Sequence, residues 1–187
     1  MKLEDFWALV QSSPAATTQR ERTDRLTENL ARLPGPAIIE FELHLAAQRK
    51  RADTWLMWGA AWIIMQSWCS DDGFFYFQPW LVGLGHQTFE RVVDNPDYLA
   101  GVPQIQRLAG RPRSDWSDDE WPGWELLNYV ACYAYERATG EEDGLDNALE
   151  IQGLHRICDV APEGDRWNFD DPDERLAKLP RLTALLG

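Results

Sequence analysis

The sequence lacks the short motifs by which many enzymes are recognised. It contains no G-x-x-x-x-G-K-[ST] phosphate loop, no H-E-x-x-H metal motif, no G-x-S-x-G nucleophile turn and no C-x-x-C pair. His155, with Cys158 beside Asp159, weakly suggests a metal, but the chain has no second such element. We therefore expect no metal and no cofactor.

Cysteine is scarce as well. The chain has three cysteines, an odd number, and each lies in an apolar stretch of sequence: Cys69, Cys132 and Cys158. This pattern indicates buried thiols in a reducing compartment. The N-terminal run MKLEDFWALV has two early acidic residues and no long apolar region, so it does not resemble a signal peptide. We expect a cytoplasmic protein.

Positive charge is in deficit, with 18 Lys and Arg against 31 Asp and Glu and a net charge of −13. Residues 1–60 carry eight of each sign, whereas residues 61–187 carry 10 basic and 23 acidic residues. A phosphate backbone would be repelled by the second stretch, so we expect no nucleic-acid binding. The charge would instead favour a basic partner.

No run of residues alternates between polar and apolar as a half-buried strand would, so the sequence predicts an all-α fold. At 187 residues one domain is the default, and we expect a compact helical bundle spanning residues 1–187. Two long core helices are predicted at about 53–69 and 123–139, the second ended by Gly140, and they are joined by several short helices. Among the other helices, one begins at a capping box of Thr18 and Glu21, one spans residues 86–94, and the next is capped by Asn95. Residues 110–120 are predicted as a surface loop, and residues 153–169 are the least periodic part of the chain.

The first of the long helices carries tryptophan at unusual density. Apolar residues at steps of three and four place one stripe on it, formed by Trp55, Trp58, Trp62, Met65 and Cys69. Further apolar residues on other faces indicate a helix buried in a core, with Asp53 as its N-cap. A membrane span would need roughly 20 apolar residues, and this run is interrupted by Gln66 and Ser67.

The apolar run stops at Ser70, Asp71 and Asp72. These acids could cap the next helix and complement its dipole, or they could bind a cation or act in acid–base chemistry beside an aromatic surface. The sequence leaves both open. Pro79 predicts a break, with a short helix ending near residue 77 and a new helix beginning at Pro79.

Three runs in this part of the chain, WGAAWII, CSDDGFFYFQPWLVGLG and FERVVDNPDYLA, are similar to the bacterial family catalogued as domain of unknown function 4240. The opening EDFWALV and the ending WNFDDPDERLAKLPRLTALLG fit as well. The resemblance implies a shared fold and no particular reaction. This chain has Gln78 and His86 at positions where members of that family carry arginine, which would alter any role of those arginines.

Two functions remain as hypotheses. The first is a non-catalytic module that binds a small molecule or a protein partner at an aromatic and acidic groove, where the acidic charge favours a basic partner. The second is an enzyme that uses Asp71 or Asp72 with His86 as an acid–base pair. The predicted site residues are Asp71, Asp72, Gln78, His86, Trp58, Phe77 and Trp80.

Overall fold

The computed structural model describes residues 1–12, 18–154 and 161–187. Within these ranges the chain forms helices and no strand, which confirms the all-α prediction. The α-helices are α1 Leu3–Val10, α2 Gln19–Leu30, α3 Gly35–Ala52, α4 Trp55–Ile64, α5 Asp71–Gly83, α6 His86–Asp94, α7 Pro103–Gln106, α8 Val130–Thr139, α9 Gly144–Ile151, α10 Pro172–Lys178 and α11 Pro180–Leu186. Short 3₁₀ helices occupy Pro96–Gly101, Arg113–Asp115, Asp118–Glu120 and Glu125–Tyr129.

The chain divides into two compact units. The first comprises Met1–Lys50 and Trp124–Val160, and the second comprises Arg51–Gly123 and Ala161–Gly187. The prediction of a single domain stays a prediction.

In the first unit, α2 packs against α8. Thr18 and Glu21 form the predicted capping box at the start of α2. Ala131 and Ala134 of α8 are fully buried, and such small residues allow helices to approach closely. The Trp124 indole N–H donates to the Thr23 hydroxyl at 2.9 Å, so this buried ring has its polar atom satisfied.

The predicted helix 123–139 is divided in the structure. Residues Glu125–Tyr129 are 3₁₀ and α8 begins only at Val130. The reason lies at Trp124, whose buried ring is held at Thr23 while its backbone (φ −133°, ψ 72°) lies outside the helical region. Gly140, left-handed at φ 76°, ends α8 as its sequence position predicts.

In the second unit, α11 packs against α10, α4 and the 3₁₀ helix Pro96–Gly101. The predicted helix at 86–94 has its expected bounds, and Asn95 caps the following 3₁₀ helix through a bond from the Asp97 amide at 3.0 Å. An isolated bridge joins Thr54 to Glu163, with the Trp55 amide donating to the Glu163 carbonyl at 2.9 Å. Residues 161–187 are thereby attached to the start of α4.

Helix α4 is shorter than the predicted range 53–69, and its N-cap is Thr54 instead of Asp53. The Thr54 hydroxyl accepts from the Met57 amide at 3.0 Å. At the other end Gln66 takes a positive φ of 53°. The Gln66 side chain donates through Nε2 to the Arg111 carbonyl at 2.7 Å, and its Oε1 accepts from the Arg113 backbone amide at 3.0 Å. Contacts with the 110–120 loop therefore end the helix.

Pro79 does not break its helix, contrary to the sequence prediction. Helix α5 continues through it from Asp71 to Gly83. A proline inside a helix costs about 3 kcal/mol. Phe77, Trp80 and Leu81 are buried around Pro79, and burial of each such side chain contributes roughly 1.5–3 kcal/mol, which offsets the loss.

Candidate functional site

The three tryptophans of the predicted stripe are not fully buried in the core, unlike Met65 and Cys69 of the same stripe. Met57, Ala60, Ile63 and Ile64 are buried, whereas Trp55, Trp58 and Trp62 are only half-buried. The three rings line a cleft of about 650 Å³, closed on its other side by residues 166–170 and flanked by Cys69 and Glu174. We call it the tryptophan cleft. Its volume lies within the range of roughly 300–1,000 Å³ that is usual for small-molecule sites.

The wall formed by α4 is a column of parallel rings. Trp55 and Trp58 stack with ring centroids 5.3 Å apart and planes 1° apart. Trp58 also stacks on the buried Phe74 of α5, at 5.0 Å and 7°. Offset stacking of this kind contributes about 0.5–1.5 kcal/mol for each pair beyond burial. The column therefore holds the rings in fixed positions.

The opposite wall consists of Trp167 and Phe169. The Phe169 ring lies 6.1–6.3 Å from the centroids of all three α4 tryptophans. Trp167 is buried, contacts Phe169 edge-on at 4.9 Å and donates its indole N–H to the Trp55 carbonyl at 3.2 Å. These rings join residues more than a hundred positions apart in the sequence.

Gly59 makes this wall possible. A Cβ at position 59 would lie 2.8 and 2.9 Å from Cε2 and Cη2 of Trp167, closer than such atoms can approach. The absence of a side chain on α4 therefore leaves the space that the Trp167 indole fills.

Polar contacts hold the 166–171 segment against the C-terminal end of α4. The Trp62 indole N–H donates to Asp170 Oδ1 at 3.1 Å. The Arg175 guanidinium donates to the Phe169 carbonyl, to the Ser67 hydroxyl at 3.1 Å and to Asp170 Oδ1 at 3.3 Å. The indole N–H groups of Trp58, Trp62 and Trp167 are thus bonded within the protein, and their ring surfaces line the cleft.

The rim of the cleft carries both signs of charge. The Arg166 guanidinium lies over the Trp55 ring at 5.1 Å from its centroid, and the Lys178 ammonium lies 5.8 Å from the Trp167 centroid. Within the described ranges, the half-buried Glu174 carboxylate has no hydrogen bond or ion pair. It is therefore the carboxylate best placed to meet a ligand.

Cys69 lies in the cleft wall with 3 % of its surface exposed. Burial raises the pKa of the thiol to about 12, because the thiolate would be poorly solvated there, and the Trp58 indole opposes the shift only in part. The thiol is therefore protonated at neutral pH and is not an activated nucleophile.

Of the predicted site residues, Trp58 lines the cleft. Phe77 and Trp80 are buried and stack on one another with centroids 5.3 Å apart. Gln78 is also buried and donates its side-chain amide to Asp53 Oδ1 at 3.2 Å. Asp53 is thus the carboxylate that binds the side chain at position 78, where the resemblance implies arginine in other members of the family.

The other three residues lie at helix starts. Asp71 and Asp72 are exposed in the first turn of α5, where Ser70 is the N-cap and accepts from the Gly73 amide at 3.1 Å. Negative charge there complements the helix dipole. His86 begins α6, with Nε2 3.7 Å from Glu90 Oε1. Arg51 donates two hydrogen bonds to Glu90, and these lower the pKa of that carboxyl. The predicted polar residues therefore make different contacts, and the acid–base hypothesis stays a prediction.

Sequence reasoning missed the second wall of the cleft. Residues 153–169 show no periodicity, so nothing in their pattern places Trp167 or Phe169 on α4. The available signal was Gly59, because an isolated glycine inside an apolar helix often marks a close approach by another group.

In the described part of the chain, no helix is both long and apolar enough to span a bilayer, and no group of three or more His, Cys, Asp or Glu could hold a metal ion. His155, Cys158 and Asp159 lie outside the described residues. Cys69 is buried as predicted, whereas Cys132 is only partly buried.

Of three comparisons with known proteins, one found a match. No match was found among curated proteins or among solved structures. A family model described as "Protein of unknown function (DUF4240)" matches residues 1–137. The match includes the α4 wall of the cleft and ends before the wall formed by residues 166–170. Because it covers most of the 187 residues, the chain belongs to the DUF4240 family, as the resemblance in its sequence implied.

Proposed function

We propose that the protein is a non-catalytic binding module whose tryptophan cleft takes a small organic cation. One observation carries the proposal: three half-buried tryptophans on successive turns of α4 face a 650 Å³ cleft that also contains the Glu174 carboxylate. Half-buried rings contribute less to the core than buried ones, so their concentration on one open surface favours binding.

The ring surfaces favour a cation. Tryptophan is the best aromatic partner for a cation, at about 0.5–2 kcal/mol for each contact. The chain's own Arg166 and Lys178 already occupy positions over Trp55 and Trp167. The indole N–H groups of Trp58, Trp62 and Trp167 donate to protein oxygens, so these groups are less available to bind an anion.

The charges support the same choice. Asp170 and Glu174 line the cleft with Arg166, and Lys178 lies at its rim. Asp170 is paired with Arg175, so Glu174 is the acidic group that remains to attract a cation, in a chain with a net charge of −13. Such a field raises the local concentration of cations. Of the hypotheses made from sequence, the small-molecule form is the one these observations favour.

The proposal is tested by calorimetric titration at low ionic strength with choline, with the amide of acetylarginine, and with 3,3-dimethylbutan-1-ol, a neutral isostere of choline. We expect saturable binding of at least one cation and at least tenfold weaker binding of the alcohol. Equal binding of choline and the alcohol would show that the site is merely apolar, and no binding of either cation would refute the proposal.

Matched variants locate the site. Glu174→Gln should weaken cation binding about three- to tenfold, whereas Asp173→Asn, which removes the same charge from the same first turn of α10, should leave it unchanged. Trp62→Ala should weaken cation binding about tenfold, and Trp68→Ala, at a ring that is 64 % exposed and outside the cleft, should not.

Arg166→Ala should strengthen cation binding, because the variant removes both a competing cation and a repulsive charge. Weaker binding in Arg166→Ala would indicate an anionic ligand instead.

A further inference from the structure

The second unit has another concavity, and its charged lining residues are two arginines. It is lined by Thr88 and Arg91 of α6, Tyr98 and Gly101 of the 3₁₀ helix Pro96–Gly101, and Arg181 of α11, and its volume is about 210 Å³. We call it the arginine pocket. None of its lining residues belongs to the tryptophan cleft, so its function is independent of the function proposed above.

Both arginines lie against the same tyrosine. The guanidinium carbon of Arg91 is 5.2 Å from the Tyr98 ring centroid, and that of Arg181 is 5.3 Å from it. The ring therefore keeps two positive charges in one neighbourhood, although like charges repel. An anion bound in the pocket that both arginines line would reduce that repulsion.

Neither guanidinium has a carboxylate partner among the residues that the structure describes. Neither positive charge is therefore neutralised by one of these residues, although the whole chain has 31 acidic and 18 basic residues. Asp97, the nearest acid in sequence to Tyr98, is buried and directs its carboxylate to the Arg181 and Leu182 amides at 2.9 Å. The acid next to the pocket therefore positions the backbone that carries Arg181 and does not pair with the guanidinium.

The pocket's size and donors define the ligand class. At about 210 Å³ it is smaller than the roughly 300–1,000 Å³ of most small-molecule sites, so it fits a small ion or the anionic end of a larger ligand. Guanidinium groups bind phosphate and carboxylate with two parallel hydrogen bonds. Thr88 and Tyr98 also line the pocket, and each has a hydroxyl group that is able to donate a hydrogen bond.

We propose that the arginine pocket binds a phosphate-type dianion through Arg91 and Arg181, which both lie against the Tyr98 ring. Two positive charges in the pocket match a dianion better than a monoanion such as acetate. The ligand is either inorganic phosphate or the phosphate group of a larger molecule, because both present the same oxygens to the two arginines.

The test is titration of the full chain with inorganic phosphate, with phenyl phosphate and with acetate, in chloride buffer of constant ionic strength. We expect saturable binding of the two phosphates and binding of acetate at least tenfold weaker. Tighter binding of phenyl phosphate than of phosphate would assign the site to a phosphorylated molecule, and equal binding would assign it to the free ion. Acetate binding as tightly as phosphate would overturn the proposal.

Charge-removing variants complete the test. Arg91→Gln and Arg181→Gln should each weaken phosphate binding at least tenfold, while Arg107→Gln, an exposed arginine of the same unit outside the pocket, should leave it unchanged. Both pocket arginines are exposed, so the melting temperature in chloride should not change and will show that each variant is folded. An equal loss in Arg107→Gln would mean that phosphate responds only to net charge, which would refute the pocket.

Discussion

The tryptophan cleft and the arginine pocket both contain contacts between a cationic side chain and an aromatic ring, but they differ in which of the two groups is available to a ligand. In the cleft, aromatic rings form the wall and the chain's own cations, Arg166 and Lys178, lie over them. In the pocket, a single ring at Tyr98 supports two arginines whose charges remain available. The first arrangement presents ring surface to a cation, and the second presents guanidinium groups to an anion.

The two sites also differ in how they are held. The cleft depends on packing, because Trp167 fills the space above Gly59 and Phe169 lies against three rings. The pocket depends on a buried charge, because Asp97 fixes the start of α11 through the Arg181 and Leu182 amides. Changes in volume should therefore damage the cleft, and changes in charge should damage the pocket.

The largest effect is expected at Cys69, the thiol in the cleft wall. Its pKa of about 12 exceeds the ordinary value of about 8.5, so its thiolate at pH 8 is roughly a thousandfold scarcer than that of a free cysteine. We expect alkylation by iodoacetamide, followed by peptide mass spectrometry, to be slower by about that factor in the folded protein than in urea. Because the pKa is raised, the rate should increase about tenfold for each pH unit between 7 and 9. Labelling as fast as in urea would show that the cleft wall is open to water.

The next effect is expected from Gly59→Ala. The new methyl group would collide with Trp167, and such overpacking costs about 1–3 kcal/mol. The melting temperature should fall by about 2–12 °C, and cation binding in the cleft should weaken because its second wall moves.

The control is Gly73→Ala, where the nearest side-chain atoms would be 3.5 and 3.6 Å from the new Cβ. This change should leave stability unchanged or raise it by about 0.4–1 kcal/mol. If both alanine variants melt alike, the packing of Trp167 on Gly59 does not hold the cleft.

A smaller effect is expected at the pocket. Asp97→Asn keeps the shape of the side chain but replaces charge-assisted bonds to the Arg181 and Leu182 amides by neutral ones, which costs about 1–2 kcal/mol. Chemical denaturation should show this loss, phosphate binding should weaken, and choline binding in the cleft should not change. The exposed Asp94→Asn is the control, and its stability should match the parent. If Asp97→Asn has the stability of the parent, Asp97 does not fix the start of α11.

Much of the helical framework could be predicted from local signals. The capping box Thr18–Glu21, the cap at Asn95 and the end at Gly140 are determined within a few residues, and the structure has each of them. Where the predictions were wrong, distant contacts decided the outcome. Gln66 ends α4 through the 110–120 loop, and the buried surroundings of Pro79 keep α5 continuous.

The candidate site was only half predictable for the same reason. The spacing of Trp55, Trp58 and Trp62 reveals that they share a face of α4, but nothing in that spacing says whether the face is buried or open. The answer depends on residues 166–170, and the Trp62 bond to Asp170 joins positions 108 residues apart. Sequence periodicity contains no information about such a contact.

The most direct measurement is a choline titration followed by NMR at the indole N–H signals, assigned with single Trp→Phe variants. The signals of Trp58, Trp62 and Trp167 should shift together along one saturable curve, while those of Trp68, outside the cleft, and Trp124, bonded to Thr23, should stay in place. If the cleft signals do not move, or if those of Trp68 and Trp124 move as far, the tryptophan cleft is not a cation-binding site.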